Sequence, residues 1–406
     1  MGKAKKINTI DLFAGCGGLM EGFEANNNYK TLACVEWEKA PCNNLRKRLR
    51  EKWGYTNADE MVLQFDMQRT DELVRGWNDP IYGSSQGLDG IIGENEIDLI
   101  IGGPPCQAYS VAGRIRDENG MNDDYRNFLF ESYLSLVKHY KPKAFIFENV
   151  PGILSAQPNG ISIIDEIKNK FTEAGYEMLS DIKDAVIDLT EYGVPQNRKR
   201  VIILGLRKSF YGDKTKEYIE NFYYSALPMQ KVDNKITVRK AIGDLPKLFP
   251  LDKNITIGRS KYSHSFPTPM VHNHLPRWQS ERDIKIFKLL AEDIENKTFE
   301  YVSVHKLKEL YYQQTGKNSN VHKYYVIRWD EQSNTIPAHL YKDGLRHIHP
   351  DSEQQRTLTV REAARLQTFD DDYEFIGNQM DMYRMIGNAV PPRFSKVLAD
   401  AILQLL

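Results

Sequence analysis

Ile7-Asn8-Thr9-Ile10-Asp11-Leu12-Phe13-Ala14-Gly15-Cys16-Gly17-Gly18 is the stretch that decides the fold. A short β-branched and apolar run over residues 7–13 ends in a glycine-rich turn, where a ligand can approach the backbone. Alone this is a weak signal, because the spacing is not the dinucleotide GxGxxG and a tight turn would look the same. The chain that follows gives it weight. Residues 31–37 read as a second strand, and residues 39–53 carry helical spacing with Pro41 in the first turn. Residues 62–65 read as a third strand, and residues 97–101 as a buried strand that stops at Gly102-Gly103-Pro104-Pro105. A helix over 125–140, a strand over 144–147 and a strand over 200–206 close the series. This alternation predicts an α/β fold with a doubly wound, mostly parallel sheet. Ligands of such sheets sit outside the carboxyl ends of the strands, and every motif below falls at such an end.

The wider chain sets bounds. Its 406 residues suffice for one large domain or two ordinary ones, and 41% hydrophobic residues support a packed core. No apolar run has the length of a membrane span. Residues 1–6 are basic and run straight into 7–10 without a signal-peptide core. Cys16, Cys34, Cys42 and Cys106 form no CxxC pair and no metal-ligand spacing, so a reduced, cytoplasmic setting is expected. The net charge of -1 does not announce a nucleic-acid binder, so any such face must be local. Arg46-Lys47-Arg48-Leu49-Arg50 reads as a solvated helix face. Arg198-Lys199-Arg200, with Arg207 and Lys208 beyond the strand, sits inside a motif. Residues 209–351 are aromatic, His-rich and irregular, and read as a smaller second domain. Helical pattern returns at 359–367, and a final helix begins near Pro391-Pro392.

Several strand ends carry chemistry. Glu36 can accept from both hydroxyls of a ribose. Trp37 can stack on an adenine face, although a core aromatic is the ordinary role of such a residue. Asp66 can bind an adenine amino group, and the three ends together describe a nucleoside pocket. In Gly103-Pro104-Pro105-Cys106-Gln107 two prolines fix the backbone before a cysteine. A lone cysteine is usually a small buried hydrophobe. This one leaves an apolar strand for a loop rich in Gly, Ser and Arg, which favours an exposed, activated thiolate. In Phe147-Glu148-Asn149-Val150 a carboxyl group leaving a buried strand is disposed to hold a proton, while a surface glutamate is the bland alternative. Alternation puts Arg198 and Arg200 on one side, suited to phosphate or base oxygens, unless they only guard a strand edge.

These pieces, in this order, resemble the cytosine-5 DNA methyltransferase family of the bacterial restriction-modification type. The resemblance covers residues 7–206 and 355–406. Besides the stretches already quoted it includes Tyr192-Gly193-Val194-Pro195-Gln196-Asn197-Arg198, Arg361-Glu362-Ala363-Ala364-Arg365-Leu366-Gln367-Thr368-Phe369 and Gly387-Asn388-Ala389-Val390-Pro391-Pro392. It implies Cys106 as nucleophile and Glu148 as the acid that holds and protonates the base. It also implies Arg200 as the grip on a flipped cytosine, with Arg198 beside it. The methyl donor implied is S-adenosylmethionine, leaving S-adenosylhomocysteine, with no metal. The matching cofactor positions are Phe13, Ala14, Gly15, Gly17, Gly18, Leu19, Glu36, Trp37, Asp66, Pro104, Asn388 and Val390. DNA contacts are implied for Gln107, Ser110, Gln196 and Arg198.

The implied organisation is a catalytic domain over 1–206 plus 355–406 and a target-recognition domain over 207–354. Within the latter, residues 301–328 are the first place to look for a groove-entering loop, because Tyr311, Tyr312, Gln313, Gln314 and Asn318 cluster near Lys317 and Lys323. The expected partner is double-stranded DNA, with a cognate restriction endonuclease as a further candidate. A monomer is expected, without a membrane, in the cytoplasm and on the nucleoid when bound. Residues 68–96 look like an insertion and are expected to be disordered or a surface loop. The rivals are a tRNA cytosine-5 methyltransferase of the same fold, a catalytically inactive DNA-binding relative and a nicotinamide dehydrogenase. The last has no use for Pro-Pro-Cys.

Overall fold

The computed structural model describes residues 5–105, 129–157, 160–320, 322–342 and 344–406. The chain divides into two compact units, the first formed by residues 1–193, 198–233 and 389–406, the second by 194–197 and 234–388.

The first unit is built on an eight-stranded sheet. Its strands are β1 (Ile7–Leu12), β2 (Tyr29–Glu36), β3 (Val62–Gln64), β4 (Leu99–Gly102), β5 (Ala144–Asn149), β6 (Tyr176–Glu177), β7 (Val186–Asp188) and β8 (Lys199–Arg207). The order is β3-β2-β1-β4-β5-β8-β6, with β7 on β8. β1 to β5 run parallel, and β8 lies antiparallel to β5, which makes the sheet mostly parallel as expected. All six residues of β1 and all four of β4 are buried, as they must be when both faces are covered. The order reverses between β1 and β4. Ligands of open α/β sheets bind at such a switch point, and the glycine-rich loop follows the carboxyl end of β1 there.

Helix α1 (Gly18–Glu24) packs against the C-terminal helix Pro392–Ile402. The two approach so closely that a Cβ on Gly22 would lie 2.2 Å from the Lys396 nitrogen. The Tyr29 hydroxyl donates to the Ala399 carbonyl at 2.7 Å, and the Ser395 hydroxyl donates to the Leu19 carbonyl. Helix α2 (Lys39–Glu51) holds Pro41 in its first turn as expected, but its basic run is not a solvated face throughout. Arg48 is buried, and its guanidinium donates to both Glu21 oxygens at 2.8 Å. A guanidinium can enter the interior only with such a partner.

Two other expectations need correction. Residues 68–96 are ordered: helices Thr70–Arg75 and Gly87–Ile92 flank a hairpin of Trp77–Asp79 and Gly83–Ser85. Leu73, Val74, Trp77, Leu88 and Ile92 bury this segment's own apolar side, with Trp77 stacked on Phe65 at 3.9 Å. The unit boundaries also fall elsewhere than 206/207 and 354/355. Residues 207–233 pack with the sheet, where the Tyr223 hydroxyl donates to the Ile202 carbonyl at 2.7 Å and accepts from the Leu204 amide at 2.8 Å. Residues 355–388 pack with the second unit. There Arg356, fully buried, grips both oxygens of Glu362 at 2.7 and 2.6 Å. Glu362 in turn closes a capping box with Thr359 at the start of helix Val360–Leu366. Burial opposes its charge, yet the Arg356 guanidinium outweighs burial and holds the Glu362 carboxyl far below the usual range.

Candidate active site

The loop after β1 has an unusual backbone. Phe13 takes φ 58, a left-handed conformation that a bulky residue adopts only under constraint, and Gly15 (φ 57) and Gly17 (φ 85) follow. The loop is tied down by the Ala14 amide, which donates to the Val35 carbonyl at 2.9 Å. The Gly15 amide donates to Glu36 Oε2 at 2.9 Å. The other Glu36 oxygen accepts from the Trp37 and Glu38 amides at 2.9 and 2.8 Å. Burial nevertheless pushes the Glu36 carboxyl up to about 7, because three backbone donors only partly replace lost water. Trp37 is 51% exposed, so it is a surface platform and not a core aromatic. Asp66, half-buried, accepts from the Gln68 amide through Oδ1 at 3.0 Å.

Gly18 and Leu19 are buried under the segment that returns from the far end of the chain. An added Cβ on Gly18 would sit 2.3 Å from the Val390 carbonyl oxygen. Gly18→Ala therefore drives two backbones apart. Its expected cost is about 1–3 kcal/mol of stability, read from the urea midpoint at unchanged slope. Asn388 is exposed and ends helix Gln379–Asn388, the last element of the second unit. The reading of the sequence passed over Asp11. It is fully buried, Oδ2 accepts from the Met20 amide at 3.2 Å, and Oδ1 has no hydrogen-bond partner among the described residues. Burial drives its carboxyl well above the usual value. The available signal was an acid inside an otherwise apolar strand.

At the next strand ends Glu148 and Arg200 form an ion pair, Oε1 to Nε at 2.7 Å, with both side chains 12% exposed. Burial pulls the Arg200 guanidinium below its usual value, and the Glu148 charge opposes that shift. Gly103 leaves room for the acid, since a Cβ there would lie 2.7 Å from Glu148 Oε2. Pro104 is buried, and the Asn149 side-chain Nδ2 donates to its carbonyl at 3.4 Å. Arg198, also buried, donates to the Ala389 carbonyl at 3.0 Å. Cys106, Gln107 and Ser110 lie outside the described residues. Gln196 does not fit the DNA contact expected of it. It is fully buried in the second unit, where its Nε2 donates to the Leu366 carbonyl and Gln367 Oε1 and its Oε1 accepts from the Ile336 amide at 3.0 Å. The expected groove loop over 301–328 contains helix Val304–Thr315, whose Leu307 and Leu310 are core and whose Tyr311 packs against that core.

The mostly parallel sheet with its strained glycine loop, and the buried Glu148–Arg200 pair at the next strand ends, are the frame of a methyltransferase-type fold. The comparisons make this specific. The model of the C-5 cytosine-specific DNA methylase family matches residues 7–404, and the chain belongs to that family. It is 35% identical to the type II methyltransferase M.Bpa9945I of Bacillus paralicheniformis, over 97% of this chain and 98% of that one. It is 28% identical to the type II methyltransferase M.AgeI of Thalassovita gelatinovora, over 98% and 99%. The solved structure of a prophage-encoded E. coli protein has the same fold, with a TM-score of 0.64 at 23% identity over 98% of this chain and 99% of that one. The chain is thus a DNA cytosine-5 methyltransferase, and its family implies S-adenosylmethionine as donor. No helix among the described residues is long and apolar enough to cross a membrane.

Proposed function

We propose that this enzyme methylates carbon 5 of a cytosine flipped out of a specific double-stranded DNA sequence, through a covalent Cys106 adduct. The observation that carries the reading is the Glu148–Arg200 pair at 2.7 Å, beside the Gly103-Pro104-Pro105 turn that leads directly into Cys106. Carbon 5 of cytosine is a poor nucleophile. Addition of the Cys106 thiolate to carbon 6 moves the ring electrons towards carbon 5, and Glu148 supplies the proton that ring nitrogen 3 gains. Arg200 holds the Glu148 carboxyl group in place, stabilises the carboxylate left behind as that proton departs, and offers its remaining N–H groups to the base oxygen. The donor supplies an electrophilic methyl group, which carbon 5 takes up. Transfer of the carbon-5 proton to water, return of the nitrogen-3 proton to the Glu148 carboxylate and expulsion of the Cys106 thiolate then restore the aromatic ring. None of these atoms is reachable inside a duplex, so the base must leave the stack.

The residues around the first three strand ends fit the donor. Glu36 faces the loop with acceptor capacity for two ribose hydroxyls, Trp37 is free to stack on a purine, and Asp66 stands at the third strand's end. Phe13, Gly15, Gly17 and Gly18 form the loop beneath, with Val390 behind it. Asp11, two residues before Phe13, keeps one oxygen without a hydrogen-bond partner among the described residues. In the absence of ligand Glu36 holds its proton up to about pH 7, whereas hydroxyl donors favour the carboxylate. S-adenosylhomocysteine should therefore bind more tightly as pH rises through 7, with proton release below it. Calorimetry at pH 6 and 8 reads this directly. Glu36→Gln should remove the pH dependence, and Glu36→Ala should weaken binding by about 1–3 kcal/mol. Unchanged affinity would take Glu36 out of the site.

A cognate restriction endonuclease acting on the same sequence is the partner that accords with the type II relatives. The overall reading is tested with labelled S-adenosylmethionine and DNA or tRNA, followed by bisulfite sequencing of DNA from expressing cells. Label on tRNA alone, or no shared sequence around converted-resistant cytosines, would overturn it.

A further inference from the structure

The second unit carries a ribbon whose tip is exposed. Strands β9 (Pro250–Ile257) and β10 (Ser260–His264) form a separate two-stranded antiparallel ribbon. Gly258 takes φ 60 at the first central position of its two-residue turn, as primed hairpin turns require. From Asp252 to Lys261 ten consecutive residues are exposed.

The root, by contrast, is built in. Ser263 and His264 are buried, the His264 ring reaches the Gln354 carbonyl at 3.0 Å, and the Ser263 hydroxyl accepts from the Gln279 amide at 2.9 Å. Trp278 braces one face, donating to Asn254 Oδ1 at 3.2 Å and lying 4.7 Å from the Lys261 ammonium. Two-stranded ribbons are marginal in water unless braced, and here the bracing holds the stalk while leaving the tip bare.

The tip has a consistent chemistry. Lys253, Arg259 and Lys261 stand against one carboxylate, Asp252, in a chain whose net charge is -1. No ion pair with a carboxylate involves these three cations among the described residues, although carboxylates elsewhere in the second unit are commonly paired. Register pairs Ile255 with Tyr262 and Ile257 with Ser260, so one face presents two isoleucines, 42% and 55% exposed. The other face presents Asn254, Thr256 and Lys261.

We infer that the ribbon over residues 250–264 enters a groove of the target DNA and that Arg259 at its tip is a specificity-determining residue. The inference deepens the proposed DNA reading and rests on it. The major groove admits a two-stranded ribbon. The guanidinium suits the paired acceptors of guanine, isoleucine suits the thymine methyl group, and lysines along the edges meet phosphates. This puts readout at 250–264 in place of 301–328. The competing account is that the charges only shield a strand edge from pairing with a second copy.

The full enzyme is expressed in cells without cytosine methylation, and methylated sequences are mapped by bisulfite sequencing. Arg259→Ala and Arg259→Lys should both relax the methylated sequence at one base pair, losing about 10–100-fold of discrimination. Arg259→Lys should keep overall DNA affinity, because it keeps the charge but not the two-pronged donor. Lys253→Ala should weaken binding to all sequences alike and lower the salt slope by about 0.9. All three variants should bind S-adenosylhomocysteine as the parent does, which reports an intact fold. An unchanged sequence and unchanged affinity in every variant, with the parent active, would overturn the ribbon assignment and leave the DNA reading standing. So would new dimers with unaltered sequence preference. A parent that marks no common sequence would instead bring down the reading beneath it.

Discussion

Cys106→Ala should leave no measurable methyl transfer, a loss of at least about 1,000-fold, equal to ~4 kcal/mol of barrier. On the proposed covalent route, the ring gains a nucleophilic carbon 5 only through the thiolate. S-adenosylhomocysteine binding should persist, because the groups that fit the cofactor at the first three strand ends are left unchanged. The same chemistry gives a positive signature. DNA with 5-fluorocytosine at the target base should trap the parent enzyme in a complex that survives denaturation, since fluorine cannot leave carbon 5 as a cation. Cys106→Ala should form none. Residual turnover of the alanine variant near the parent rate, or no trapped complex on DNA that the parent methylates, would refute the covalent route.

Replacing Glu148 by glutamine should cost about 10²–10⁴-fold in rate, the usual contribution of a positioned proton donor. Glutamine keeps the size of the side chain, and Gly103 tolerates it equally, so the fold should survive. Two consequences separate a chemical role from a structural one. Trapping by 5-fluorocytosine DNA should slow along with turnover, because nitrogen 3 assists the addition itself. The loss should also fall on kcat more than on KM. An effect confined to KM would mean that Glu148 only helps to seat the base. Removal of the carboxylate also frees Arg200 from its 2.7 Å partner. Comparison with Arg200→Lys, which keeps the charge, shows how much of the loss is mispositioned guanidinium.

Much of this site was legible in the sequence for local reasons. A strand that ends in a functional loop needs only apolar residues followed by glycine, proline or an acid, and such patterns are written within ten residues. Phe13, Glu36, Asp66, Pro104 and Glu148 all stand at or just beyond strand ends, where the alternation of strands and helices put them. Trp37 was ambiguous on sequence, because a tryptophan beside a buried strand serves equally in a core, and only its exposure separates the two roles.

What the sequence by itself determined, then, is the mostly parallel sheet, the strand ends and the residue types offered there. Hydrophobic periodicity and turn chemistry act over a few residues and leave their mark in order along the chain. The tertiary structure alone decided which distant groups meet. It brings Arg200 onto Glu148, Val390 against Gly18 and Glu21 onto Arg48, pairs 52, 372 and 27 positions apart. It buries Gln196 as an internal fastening and not a DNA contact, orders residues 68–96, and leaves the ribbon over 252–261 bare. Such outcomes depend on how whole elements stack, because a buried polar group must find a partner wherever the packed chain happens to supply one.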